Sequence, residues 1–248
     1  MPRIPAPLPG VIRAVPHPAT RTIIVKGTKL KVPADATDDL LNAIRTLHAA
    51  TRRAITCVQS LELYRALTRL QEQHGDELGE ALTGSIEALT VVTLRDLTVA
   101  ITGLHDDDAK AINVRKVIGE VCKPAHRPAL ERFHAVRDPA YDLGAALAAL
   151  TLKARRLKKP SVRKALVRVK DVRDKMVAHY DMNPDFANGH ATIRDIGLAL
   201  AATGSALYEC NLVALARPYD VRRIRATGRD EARVLVETLL AGVEARDT

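Results

Sequence analysis

From Leu40 onward the apolar residues recur three and four apart. Leu40, Ile44, Leu47, Thr51, Ile55 and Val58 fall on one face, the spacing that ~3.6 residues per turn requires. Asp35 and Thr37 stand before this run as N-caps, and His74-Gly75 ends it after Gln73. A second helix is predicted over 76–104, with Leu78, Leu82, Ile86 and Leu89 on one face and His105-Asp106-Asp107-Asp108 closing it. A short helix over 112–121 follows, then one from near Pro128 to Arg137-Asp138-Pro139 and an Ala-rich one over 142–157, broken at Lys159-Pro160. Ser161 reads as the N-cap of the next helix, whose buried side carries Val162, Leu166, Val169, Val172 or Arg173, Met176 and Tyr180; Asn183-Pro184 stops it. A long apolar helix covers 193–216 up to Arg217-Pro218, and Asp230 to Glu244 forms one more amphipathic segment.

The first 35 residues read differently. Pro2, Pro5, Pro7, Pro9, Pro16, Pro18 and Pro33 make a Pro-rich arm, in which TIIVKGTKLKV gives two β-like runs around Lys26-Gly27 and predicts a short hairpin. Too short for a core of its own, the arm is expected as a surface ribbon or tail. The fold class that follows is all-α, an up-and-down helical bundle. Residues 1–35 form the arm, 36–217 the helical domain and 218–248 a C-terminal tail with one amphipathic helix.

Composition agrees: 47% of residues are hydrophobic but only 3% aromatic, which suits packed helices better than sheets. Cys57, Cys122 and Cys210 form no CxxC unit and cannot all pair, as expected of a reducing cytoplasm. The start, MPRIPAPLPG, lacks the apolar core of a secretory signal, and no run of ~18 apolar residues predicts a membrane span. A cytoplasmic protein without a membrane partner is the expectation.

The net charge of +9 is localised. Between residues 153 and 175, Lys153, Arg155, Arg156, Lys158, Lys159, Arg163, Lys164, Arg168, Lys170, Arg173 and Lys175 face only Asp171 and Asp174, so this stretch carries the whole excess. Such a stripe is the footprint of a polyanion partner, usually nucleic acid; alternatively it is a solvated helix face. There is no Gly-rich phosphate loop, GxSxG elbow or HExxH. His105 with its three aspartates reads as a solvated loop, and His126 and His134 as surface histidines. Neither metal nor cofactor is expected.

The stripe runs into VRDKMVAHYD, residues 172–181. Arg173 and His179 are six residues apart, which on a straight helix turns their side chains ~120° away from each other. Either the helix ends between them or their partners lie on another chain. Other arginines precede histidines, as in Arg69/His74 and Arg127/His134. Only Arg173/His179 combines a following aspartate, an apolar interior (Met176, Val177, Ala178), a helix stop and a basic flank.

This segment resembles the signature of the HEPN superfamily (higher eukaryotes and prokaryotes nucleotide-binding domain): an arginine, a polar residue, several mostly apolar residues, a histidine. Arg173, Asp174 and His179 match in order. The stretch SIEALTVVTLRDLTVAITGLHDDDAKAINVRKVIGEV, with a long apolar helix after the motif, resembles the abortive-infection branch, and the likeness spans about 40–215. The resemblance implies a HEPN-type bundle and a metal-independent endoribonuclease of toxin or phage-defence type, whose homodimer forms one composite site from two copies of the motif. It implies His179 as general base or acid on the RNA 2′-OH or leaving oxygen. Arg173 would stabilise the phosphate charge, with Asp174 orienting one of the two. Products would be a 2′,3′-cyclic phosphate and a 5′-hydroxyl. Lys153, Arg155, Arg156, Lys158, Lys159, Arg163, Lys164, Arg168 and Lys170 are the expected RNA contacts. An antitoxin or nucleotidyltransferase would be a further partner. In the branch paired with nucleotidyltransferases a tyrosine stands two residues after the histidine; here Asp181 holds that position and Tyr180 reads as an amphipathic core residue. The alternatives are a non-catalytic HEPN-like dimerisation or RNA-binding scaffold, and a helical DNA-binding regulator.

Overall fold

The computed structural model describes residues 20–108, 111–178 and 191–244. Strands β1 (Thr20–Val25) and β2 (Thr28–Pro33) precede eight α-helices: α1 (Asp38–His74), α2 (Glu80–Gly103), α3 (Val114–Val121), α4 (Arg127–Arg137), α5 (Leu143–Arg156), α6 (Pro160–Ala178), α7 (Ile193–Leu215) and α8 (Val221–Glu244). Among the described residues the chain is all-α apart from the antiparallel hairpin.

The hairpin turns on Lys26 and Gly27, both at positive φ (46° and 78°). This is the left-handed pair that a two-residue turn needs to match strand twist. It is not the surface ribbon expected: Val25, Leu30 and Val32 are buried in the main apolar cluster with Leu40, Ile44 and Leu47 of α1. Two close-packed strands with alternating burial dock one face on the bundle, where β2 meets α4 and α7, and leave Lys29 and Lys31 in solvent.

Thr37 caps α1, accepting from the Leu40 N–H at 3.3 Å. The helix α2 begins at Glu80 rather than 76, because Gly79 takes φ 69° in the connection. The helix α6 begins at Pro160, so Ser161, expected as its N-cap, lies inside the first turn. Proline is at home there because its missing N–H has no intrahelical acceptor. Val162, Ala165, Val169 and Val172 form its buried side and Leu166 is half-buried; the side chains of Met176 and Tyr180 lie outside the described residues.

The helix α7 is the core helix, packed against α1, α5 and α6. Among the described residues it alone is long and apolar enough to cross a membrane, with mean hydropathy 1.4, but 61% of that span is buried inside the bundle. Thr192 and Asp195 close a reciprocal capping box at its start, and Ala216 ends it in the left-handed conformation.

Helix α8 begins nine residues before the expected Asp230 and packs along α1. Buried Glu62 of α1 meets Arg65 at 2.9 Å, Arg229 at 3.0 Å and Arg225 at 3.3 Å. A buried carboxylate is tolerated only with such partners. Gly228 permits the approach, since a Cβ there would stand 3.2 Å from the Gln59 Cα.

Two histidines expected at the surface are buried: His126 is 3% exposed and His134 2%. His134 pairs through Nε2 with the Val213 carbonyl at 2.7 Å and stacks on Tyr141 at 3.9 Å. Burial lowers its pKa, which keeps the ring neutral.

Candidate nucleic-acid interface

The α2–α6 pair builds a cleft of about 310 Å³ lined by the α2 C-terminal end, the aspartate-rich connection and the outer face of α6. Arg163, Lys170 and Arg173 reach it from α6, and Arg115 from α3. The spacing explains this: 163, 170 and 173 lie within ~80° of arc on an α-helix.

Arg173 is held in place. Nε donates to Asp174 Oδ1 at 2.8 Å, Nη2 to the same oxygen at 2.5 Å, and Nη1 to Thr102 Oγ1 at 3.4 Å. Thr102 gives its own proton to the Thr98 carbonyl at 2.7 Å and so accepts from the guanidinium. The side chain is 21% exposed, open on the cleft side. Asp174 touches Arg173, one of the two partners expected for it. His179 lies outside the described residues.

The aspartate-rich connection is a built loop. Asn113 caps α3 through its carbonyl oxygen and donates through Nδ2 to the Asp106 carbonyl at 2.8 Å and Asp107 Oδ1 at 3.0 Å. Arg115 bonds Asp107 at 3.1 Å, and Lys116 Nζ donates to the Asp107 carbonyl at 2.8 Å. Among the described residues no three His, Cys, Asp or Glu side chains converge as a metal site. His105 has a place that spacing alone did not reveal. It is one of the residues lining the cleft, and burial, with Arg115 nearby, pushes its pKa down to about 4 against the weaker pull of Asp107.

The basic stripe divides. Lys153 is half-buried on α5, Arg155 and Arg156 are exposed at its C-terminal end, and Lys158 and Lys159 are exposed in the turn. Cations there complement the negative helix end. Arg163 and Lys170 face the cleft, whereas Lys164 and Arg168 face the start of α7 with Arg194. Arg168 is committed within the fold rather than offered to a partner: Nε donates to Asp195 Oδ2 at 3.1 Å and Nη2 to Oδ1. This contact holds the Asp195 carboxyl below the usual carboxylate range. Arg163 and Lys170 make no ion pair among the described residues and leave two unspent cations over the cleft.

No family model, curated protein or solved structure matches the chain.

Proposed function

We propose that this protein is a metal-independent endoribonuclease of HEPN type, working as a homodimer. The observation that carries the reading is Arg173: a guanidinium oriented by Asp174 and Thr102 at the edge of a cleft that Arg115, Arg163 and Lys170 also line. A phosphodiester entering there meets cations already placed where charge grows on the non-bridging oxygens. His179, six residues on in the same motif, takes the 2′-OH proton or returns one to the leaving 5′-oxygen. The attacking 2′-oxygen closes on phosphorus, the P–O5′ bond breaks, and the 5′-oxygen leaves as a hydroxyl.

The ~120° offset between Arg173 and His179 favours a second copy, since one straight helix does not aim both side chains at one phosphate. Leu89, Val92 and Val99 of α2 and Val167 of α6 are exposed on the helix pair that carries the motif. They supply apolar surface for that copy.

The test is RNA cleavage in EDTA. His179→Ala and Arg173→Ala should each lower the rate by about 10² to 10⁴-fold, while His74→Ala should leave it unchanged. Intact RNA with the wild type would leave the scaffold reading in its place.

A further inference from the structure

The cleft wall carries an uncharged imidazole beside its four cations and the carboxylates of Asp106 and Asp107. His105 Nε2 lies 2.7 Å from Thr203 Oγ1, and that hydroxyl already donates to the Ala199 carbonyl at 2.8 Å. This pattern assigns the Nε2–H tautomer and leaves the lone pair on Nδ1. Nδ1 has no hydrogen-bond partner among the described residues, and His105 is one of the residues lining the cleft. With its pKa held at about 4, the ring is neutral at pH 7.

Around it, Arg115, Arg163, Lys170 and Arg173 only donate; of the two carboxylates, Asp107 is engaged by Arg115 and Asn113, and Asp106 accepts from the Asp108 N–H. A ligand held by this set needs an anion for the cations and a hydroxyl donor beside it for Nδ1. A carboxylate in the place of His105 would accept the same hydroxyl but repel the phosphate; neutral imidazole does not. At about 310 Å³ the space is at the low end of small-molecule sites, which suits a single nucleotide rather than a duplex.

We propose that His105 is a sugar-reading residue: its Nδ1 accepts from the ribose 2′-OH of a nucleotide whose phosphate lies on Arg163 and Lys170. The 2′-OH is the group that separates RNA from DNA at a given position. The assignment rests on the cleft facing RNA, as proposed above, but not on cleavage or on His179.

The experiment uses probes that cannot be cut. Uridine 3′-monophosphate and 2′-deoxyuridine 3′-monophosphate are titrated calorimetrically into the full-length protein, with inorganic phosphate as the reference anion. One added hydrogen bond predicts that the ribonucleotide binds about five-fold more tightly. His105→Gln keeps an amide donor for Thr203 but no acceptor at the Nδ1 position, and should bring the two affinities together. His105→Asn sets a carbonyl oxygen near that position and should keep the preference. Equal wild-type affinities, a preference unchanged in His105→Gln, or binding of neither nucleotide would overturn the proposal; the wild-type comparison decides even if both variants unfold. A protein that prefers the ribonucleotide yet leaves RNA uncut would refute the nuclease and leave His105 its role. One that cuts RNA but binds both nucleotides equally would do the reverse.

Discussion

Arg173 Nη1 donates to Thr102 Oγ1 across 3.4 Å, which ties the motif arginine to the last turn of α2, three residues before His105. Asp174 supplies the charge partner and Thr102 the direction. Thr102→Val keeps the shape and removes the acceptor. We predict a fall of roughly ten-fold in cleavage rate, the worth of about one positioned hydrogen bond, with thermal stability little changed. A rate equal to wild type would show that Asp174 alone orients the guanidinium.

The division of the stripe predicts unequal effects from equal charge changes. Arg163→Ala and Lys170→Ala should each flatten the log–log salt dependence of single-strand RNA binding by about 0.7. Arg168→Ala should leave that slope unchanged and lower the melting temperature, because Arg168 is bound to Asp195 at the start of α7. Thr192→Ala, which removes the cap at the same point, should cost about 1 kcal/mol, or roughly 2–4 °C in a chain of this size. Salt titrations and thermal melts of the four variants read both effects.

Stability should fall on mild acidification. Burial lowers the pKa of His48, His105 and His134 in the folded chain, His105 to about 4. A depressed folded pKa means that the unfolded state binds more protons, so the contribution is fully present above the unfolded value of 6.5 and is lost as pH drops toward the folded one. For His105 that window is pH 6.5 to about 4, and the loss is at most about 3 kcal/mol. Urea midpoints at pH 7.5, 6 and 5 should decline in that order, and His105→Gln should decline less steeply. A flat profile would contradict the neutral buried imidazole.

Assembly can be tested at α2. Val99, 43% exposed on the helix that holds Arg173, should tolerate Val99→Arg within about 0.5 kcal/mol as an isolated surface change. In the dimer it would place a charge in an apolar contact. Sedimentation should give a dimer for the wild type at micromolar concentration and a monomer of unchanged helical content for the variant. A monomeric wild type would remove the composite site.

Much of the bundle is legible in the chain. The Leu40–Val58 periodicity and the Thr37 cap mark α1, and Lys26-Gly27 marks the hairpin turn. Helix α8 begins earlier than its apolar pattern because its first turns dock through Arg225 and Arg229 on Glu62 and through Gly228 on Gln59. Val221 and Ile224 do pack on the core there, but a single i,i+3 pair among arginines is too short a period to read. His134 is buried by Val213 and Tyr141, and only the tertiary fold supplies Val213, 79 residues away. The sign of the stripe is visible in composition, and so is the separation of 163/170 from 164/168 on a helix. The commitment of Arg168 to Asp195, 27 residues on, is not. Likewise nothing local joins Thr102 and His105 to Arg173; they meet because α2 and α6 pack together.

The most direct measurement is the chemistry of the cut ends. A defined single-stranded RNA is incubated in EDTA with the wild type and with His179→Ala, and the fragment termini are identified by mass spectrometry. Attack by the 2′-OH predicts a 2′,3′-cyclic phosphate on the upstream fragment and a 5′-hydroxyl on the downstream one from the wild type, and intact RNA from the variant. Fragments ending in a 5′-phosphate, equal cleavage by His179→Ala, or RNA left whole by the wild type would contradict the account.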